Sequence, residues 1–356
     1  MDIYSTYYML AAVKELRPEH TFFKRRYFPT NTTMDVFGTA KVLADYKEGS
    51  QKKAPFVLPR IGSVSVAREG FSTYELEPAN ISISIPLTLD QLEKRNFGEA
   101  LMSKATPEQR AKMLLMGDLT ELSGRISRTE ECLSVQTMLD NGCTMRHQTE
   151  KEDVYEDVAV KFYDGENNPA LYTPATPWTH STGGKMGNWY RDVCNMISML
   201  TSRGLPAKEL VVGSDVGEFL LEDEWILKML DNRRAEMGRI DPKELTDYVT
   251  QIGTFNFMGR NLTILVSDGT YEEGGNDVPY VPNGSAIVTA PNCGKGLYGA
   301  VTQLEKDGKY HTYAGTRVPQ HIFTLRPPVK EAQLTSRPLL VPKRKSPWSV
   351  AKKVFD

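Results

Sequence analysis

Between Ser63 and Ile85 the chain runs SVSVAREGFSTYELEPANISISI, with apolar and polar residues alternating. Val64 and Val66 share one parity. Ile81, Ile83 and Ile85, continued by Leu87 and Leu89, share another, with Ser82 and Ser84 on the opposite side. A period of two is strand periodicity. Gly70 in REGF and Pro78 in EPAN are turn signals. The stretch therefore predicts a long hairpin or folded arm within an extended region over residues 33–90. The period then changes. From Thr106 the pattern becomes helical, with Leu115, Leu119, Leu122, Ile126 and Leu133 forming one apolar stripe. Thr106 is placed as N-cap, Pro107 at the first helical position and Gln109 two positions later, a capping box. Asn141 and Gly142 suit a left-handed C-terminal cap. About 35 residues at 1.5 Å each make a helix on the order of 50 Å long. Gly117 and Gly124 lie inside it and cost roughly 1 kcal/mol each relative to alanine. They are either bend points or tolerated surface glycines.

Shorter elements flank this helix. Residues 4–16 predict a helix ended by Pro18. EDVAVKFYDG reads as a strand entering a turn. MGNWYRDVCNMISMLTSRGL reads as a helix closed by Gly204, and KELVVGSDVGEFLLEDEWILKMLDNRR as strand, turn and one or two helices. Residues 249–320 are strand-rich, and QLTSRPLLVP is a further short strand. This order predicts an α+β protein, with a middle domain inserted between two parts of a domain that carries the long helix.

Composition narrows the class. The 356 residues are 40% hydrophobic and 25% charged, as in folded globular chains of about two domains. A formal net charge of −2 gives no whole-chain attraction to nucleic acid or acidic membranes. The closing KRKSPWSVAKKVFD is basic and reads as a solvated end. Cys132, Cys143, Cys194 and Cys293 form no CxxC pair and suggest reduced thiols. The N-terminus lacks a signal-peptide pattern, and no apolar run reaches the ~20 residues of a membrane span.

Candidate chemistry is sparse. TFFKRRYFP mixes aromatic and basic residues, as single-strand nucleic-acid sites do. With no second basic stretch nearby in sequence, docking of Phe22, Phe23, Tyr27 and Phe28 on protein is the preferred account. STGGKMGN resembles a phosphate loop but lacks its first glycine and has Met186 in the hydroxyl position. The helix start after it could still hold an anion. GSDVG places Asp215 where a nucleophile elbow needs serine, so Ser214 or Asp215 is expected to cap the next helix. His20, His147, His180, His311 and His321 form no metal-ligand pair. DGTYEEGGNDVPY lacks a calcium-loop pattern and predicts a hairpin turn. No catalytic, cofactor-binding or metal residues are expected.

An isolated two-stranded arm is marginal in water, and its edges invite pairing with another chain. Its isoleucine face needs a cover, and a neighbouring subunit is the natural candidate. The order of N-terminal helix, extended AREGFSTYELEPANISISIPLT and long capped helix resembles the major capsid proteins of tailed phages, specifically the lambda-type major capsid protein E family. The resemblance continues through KELVVGSDVGEFLLED, DGTYEEGGNDVPYVPNGSAIV and QLTSRPLLVP.

The resemblance implies the Hong Kong 97-type capsid fold. Residues 1–32 would be an N-terminal arm and 33–90 an extended loop. Residues 91–154 would hold the peripheral domain, with its spine helix over 106–141. An axial domain would occupy 155–320, with some strands returning to the peripheral domain, and 321–356 would close that domain. It implies a major capsid protein, not an enzyme, that self-assembles into an icosahedral shell around double-stranded DNA. Implied partners are further copies in hexamers and pentamers, a scaffolding protein, a portal protein, a decoration or cement protein, and DNA contacted non-specifically, with no membrane. The short segment before the fold suggests that the scaffold is separate. Assembly would take place in the host cytoplasm. Arg68, Phe71, Tyr74, Glu75, Ile81, Ile83 and Ile85 are the expected intersubunit contacts, and Gly117 and Gly124 the expected hinge of the spine helix. Lys52 and Lys53 lie near the loop, but no matching Asn and acid can be placed, so no isopeptide crosslink is expected. An encapsulin-type cargo shell and an enzyme with an unrecognised site are the alternatives.

Overall fold

The computed structural model describes residues 5–16, 19, 21–46, 72–87, 106–148, 155–162, 171–183, 185–231, 238–305, 307–325 and 328–355. In chain order the elements are α1 (Thr6–Glu15), α2 (Phe23–Tyr27), β1 (Val42–Tyr46), β2 (Ser72–Leu76), β3 (Ile81–Leu87) and α3 (Pro107–Asp140). Then come β4 (Gly142–Gln148), β5 (Tyr155–Lys161), α4 (Asn188–Thr201), β6 (Glu209–Gly213), α5 (Ser214–Glu222) and α6 (Glu224–Asp231). The remainder is strand: β7 (Gly238–Thr246), β8 (Val249–Phe257), β9 (Arg260–Ser267), β10 (Thr270–Glu273), β11 (Asn276–Pro279), β12 (Ala286–Thr289) and β13 (Gly294–Tyr298). It ends with β14 (Val301–Leu304), β15 (Tyr310–Tyr313), β16 (Val318–Leu325), β17 (Pro328–Ser336), β18 (Pro338–Pro342) and β19 (Ser349–Ala351).

Helix α3 forms where its caps place it. Thr106 Oγ1 accepts from the Gln109 N–H at 3.3 Å, and Gln109 Oε1 accepts from the Thr106 N–H at 3.0 Å. Asn141 closes the helix with φ 52°. Gly142, expected to share that left-handed cap, instead opens β4. A Cβ there would lie 2.3 Å from the Val160 carbonyl oxygen across the β4–β5 pair, so close strand approach explains the glycine. At β10–β11 the hairpin turns on Gly274 and Gly275, at φ 60° and 82°. Two successive positive φ angles match the right-handed strand twist. Ser214 and Asp215 do not cap α5, which starts from Gly213 without a side-chain bond. Asp215 turns away, and its Oδ2 accepts from the Gly284 N–H at 2.6 Å.

A six-stranded sheet, ordered β19-β12-β6-β9-β8-β7 with only β6 and β9 parallel, carries α4 and α5. Trp189, Leu200, Leu220, Phe257 and Ile264 are buried between these layers. A second core gathers α2, the C-terminal half of α3, β1, β13, β18 and Trp348. The third lies under the N-terminal half of α3. There Leu115, Leu119, Leu122 and Ile126 pack with Met9 of α1 and with Ala332 and Leu334 of β17.

Within the described part of the alternating stretch, residues 72–85, the two strands do not pair with each other. β2 pairs with β1, and β3 pairs with β17 in the sheet β16-β17-β3. EPAN carries the chain from one sheet to the other. Ile81, Ile83 and Ile85 stand opposite Ser336, Leu334 and Ala332 and pack, half-buried, against the α3 stripe. The chain's own spine helix thus covers part of the face for which a neighbouring subunit was expected. Half-burial of each isoleucine contributes roughly 1 kcal/mol. Ser82 and Ser84 form the polar face, with Ser82 Oγ 3.1 Å from Thr335 Oγ1 and Ser84 Oγ donating to Glu331 at 3.1 Å.

Candidate functional site: an arm clamped to the spine helix

Phe22, Phe23, Tyr27 and Phe28 are buried in the second core. The aromatic residues of the TFFKRRYFP stretch therefore dock on the chain itself. Packing alone would leave the first N–H groups of α2 unpaired. Glu131 of α3 receives them: its carboxylate accepts from the N–H groups of Phe22, Phe23 and Lys24 at 2.5, 2.6 and 2.9 Å. The Tyr248 hydroxyl donates to the same carboxylate at 2.5 Å. Burial pushes the Glu131 carboxyl above its ordinary value, and these four donors oppose that.

Glu130, one residue earlier, faces a different set of donors. Lys24 Nζ lies 2.6 Å from its Oε2, Arg317 donates to both oxygens at 2.6 and 2.8 Å, and the Tyr298 hydroxyl donates at 2.9 Å. Burial pushes this carboxyl up, but the Lys24 and Arg317 cations outweigh it and hold it at about 2. A third carboxylate, Glu209 of β6, is gripped by the Arg26 guanidinium and by the Tyr27 hydroxyl at 2.7 Å. Three buried acids thus tie α2 to the spine helix, to the six-stranded sheet and to Arg317 just before β16.

None of these acids is among the residues predicted from the sequence, although one signal was available. The stripe spacing jumps seven residues from Ile126 to Leu133, and Glu130 fills the missing position, four after one and three before the other. A carboxylate on an apolar stripe needs a buried partner. Its partners, Lys24 and Arg317, lie 106 and 187 residues away, beyond any local pattern.

The β1–β2 pair joins the same core on one face. Val42 and Ala44 are buried in the core, while Leu43 is 53% and Tyr74 38% exposed. Glu75 is exposed and meets Lys41 at 3.5 Å. Of the predicted contact residues, Tyr74 and Glu75 therefore share the exposed strand β2, and the three isoleucines lie on β3 under α3. Arg68 and Phe71 lie outside the described residues, as do Lys52, Lys53, Val64 and Val66. Gly117 is exposed on α3, with open space where a Cβ would be. At Gly124 a Cβ would meet Glu19 Oε1 at 3.1 Å, and Glu19 pairs with Arg128.

The phosphate-loop look-alike forms a tight turn closed by Thr182 and Lys185. The Gly187 N–H donates to Ser181 Oγ at 2.9 Å, and the Asp223 carboxylate holds Ser181 and the Trp189 indole. Among the described residues, no three His, Cys, Asp or Glu side chains group as metal ligands, and no helix is long and apolar enough to cross a membrane. The four cysteines are unpaired.

No curated protein sequence matches the chain. Among solved structures, a protein assigned as the capsid protein of an Escherichia coli CFT073 prophage superposes with a TM-score of 0.68 at 16% identity, covering 98% of each chain. A phage-related protein from Bordetella bronchiseptica RB50 gives 0.47 at 8% identity, covering 97% of this chain and 95% of that one. The capsid protein of Ralstonia phage GP4 gives 0.47 at 9%, covering 95% and 92%. The fold is the Hong Kong 97-type capsid fold. The family described as phage major capsid protein E matches residues 5–352. With nearly its whole length matched, the chain belongs to the phage major capsid protein E family.

Proposed function

We propose that copies of this chain assemble into the closed icosahedral head shell of a tailed phage, enclosing double-stranded DNA. The observation that carries this reading is the family match across residues 5–352 on a capsid fold. The chain acts as a structural unit and not as an enzyme. In this reading residues 1–32 are the N-terminal arm, 33–90 the extended loop, 106–141 the spine helix and 155–320 the axial domain. The exposed strand carrying Tyr74 and Glu75, with Arg68 and Phe71, meets an adjacent subunit. Many modest contacts repeated around closed rings then hold the shell. Hexamers and pentamers form in the host cytoplasm with a scaffolding protein and a portal protein, and a decoration protein binds later. Gly117 and Gly124 let the spine helix take two curvatures, which supports two subunit shapes a few kcal/mol apart.

Electron microscopy of the purified protein, with and without its scaffolding protein, tests the proposal. Rings of five or six or closed shells are expected. A monodisperse monomer under every assembly condition would overturn it. Shells that hold protein cargo and no genome would instead mark a cargo compartment.

A further inference from the structure

Asparagine followed by glycine occurs twice in the chain, at Asn141–Gly142 and at Asn283–Gly284. Glycine has no side chain to shield its backbone nitrogen, so that nitrogen can reach the asparagine Cγ. The two pairs lie in opposite surroundings. Asn141 is buried, and its amide is held at both ends: Nδ2 donates to Ser346 Oγ at 3.0 Å, and Oδ1 accepts from the Trp348 indole at 2.8 Å. Gly142 is buried in the β4–β5 pair, opposite Lys161. Closing a ring there would break both side-chain bonds and the strand pair. Asn283 is exposed, and among the described residues its side chain makes no hydrogen bond. It takes the second position of a turn from Pro282 to Ser285, closed by the Ser285 N–H donating to the Pro282 carbonyl at 3.1 Å. Gly284, at φ 69°, meets the need for positive φ at the third position of a type II turn. The Gly284 N–H donates to Asp215 Oδ2 at 2.6 Å. Asp215 lies in the first turn of α5, where a helix N-terminus favours negative charge. Its Oδ1 is buried with no hydrogen-bond partner among the described residues. The carboxylate thus serves one donor, the nitrogen that would attack Asn283.

We propose that Asn283–Gly284 is a latent site of self-modification and that the Asp215 carboxylate keeps it closed. The reaction is ring closure. The Gly284 nitrogen attacks Asn283 Cγ, the new N–C bond forms as the C–NH2 bond breaks, and the Gly284 proton leaves with the amide as ammonia. Water then opens the succinimide at either carbonyl and gives aspartate or isoaspartate. Attack requires the nitrogen to give up its proton. The carboxylate 2.6 Å away opposes this in two ways. It holds the N–H in a charge-assisted bond, and its charge repels the anion that deprotonation would leave. Isoaspartate would lengthen the backbone inside the turn. The Gly284 carbonyl accepts from the Val354 N–H at 2.9 Å, and Ser285 Oγ donates to the Lys352 carbonyl at 3.3 Å. The product would therefore loosen the residues that follow β19.

The test incubates the full-length, unassembled subunit at mildly alkaline pH and follows isoaspartate at both pairs by peptide mass spectrometry. Chain unfolded in urea is the reference. Both pairs should react in the unfolded chain and both should be slow in folded wild type. D215N keeps a neutral acceptor of the same shape and should speed reaction at Asn283 about fivefold. D215A removes the acceptor and should speed it roughly tenfold or more. Asn141 should stay slow in both variants and reports unfolding, because global opening frees both pairs. If D215A unfolds and both pairs react together, the isosteric D215N decides. The proposal is overturned if folded wild type reacts at Asn283 as fast as the unfolded chain, or if D215N leaves that rate unchanged. A lower rate in D215N would mark Asp215 as a base that promotes the reaction, and an equal rise at Asn141 would mark global opening; either result also overturns it.

Discussion

Replacing Glu130 with glutamine keeps the side chain's size and removes its charge. Lys24 and Arg317 would then be buried opposite a neutral amide, with no other carboxylate bonded to either among the described contacts. Breaking a buried ion pair from one side costs about 3–5 kcal/mol. The carboxyl itself gives a second figure. Its value falls from 4.5 to about 2 in the folded state: burial raises it, and the two cations more than offset that. At about 1.4 kcal/mol per pH unit, the difference is worth about 3 kcal/mol. A lowered folded-state value means the stabilisation is present above pH 4.5 and is lost as the pH falls towards 2. Urea unfolding of the unassembled subunit, followed by tryptophan fluorescence, is the assay. At pH 7, Glu130→Gln should lose about 3 kcal/mol. The gap to wild type should narrow steadily below pH 4.5, because protonated Glu130 resembles the amide. Adding Arg317→Met should cost less in the Glu130→Gln background than in wild type, since it removes a stranded cation. Equal stability at pH 7, a gap independent of pH, or strictly additive costs would refute the reasoning.

Deleting Ser63–Ile85 removes β2 and most of β3, which pairs with β17 and packs on α3; the subunit should melt at markedly lower temperature, and an unchanged melt would show that this sheet does not depend on β3. Tyr74→Ala with Glu75→Lys alters only the exposed strand, so melting should stay within about 0.5 kcal/mol of wild type while shell yield in electron micrographs falls; wild-type yield would remove these residues from the proposed contact. Gly117→Ala has open space and should stabilise α3 by up to about 1 kcal/mol, whereas Gly124→Ala must displace the Glu19 carboxylate and should gain less. Particles of the double variant should form or expand with altered yield, and wild-type yield with unchanged helix curvature would show that the glycines are not the hinge.

Local patterns carried far in this chain. The capping box at Thr106 and Gln109 and the left-handed Asn141 mark both ends of α3 because a helix end must satisfy its own backbone groups with residues close in sequence. The stripe from Leu115 to Leu133 is buried throughout, because one helix face meets the protein interior along its length, first one core and then a second. The β10–β11 turn was legible for the same reason: two glycines at positive φ set a hairpin within four residues. Partner choice was not legible. Alternation showed that Ser72–Leu76 and Ile81–Leu87 are strands but not that they join different sheets, since strand pairing is decided by what lies across the gap. The partners of Ile83 and Glu130 lie far along the chain, at Leu334 and Arg317. The sequence alone determined the elements whose backbone and side-chain needs are met locally. Only the tertiary structure decided the sheet order, the packing of the isoleucine face on the spine helix and the buried charge clamp, because those depend on burial and pairing between residues far apart along the chain.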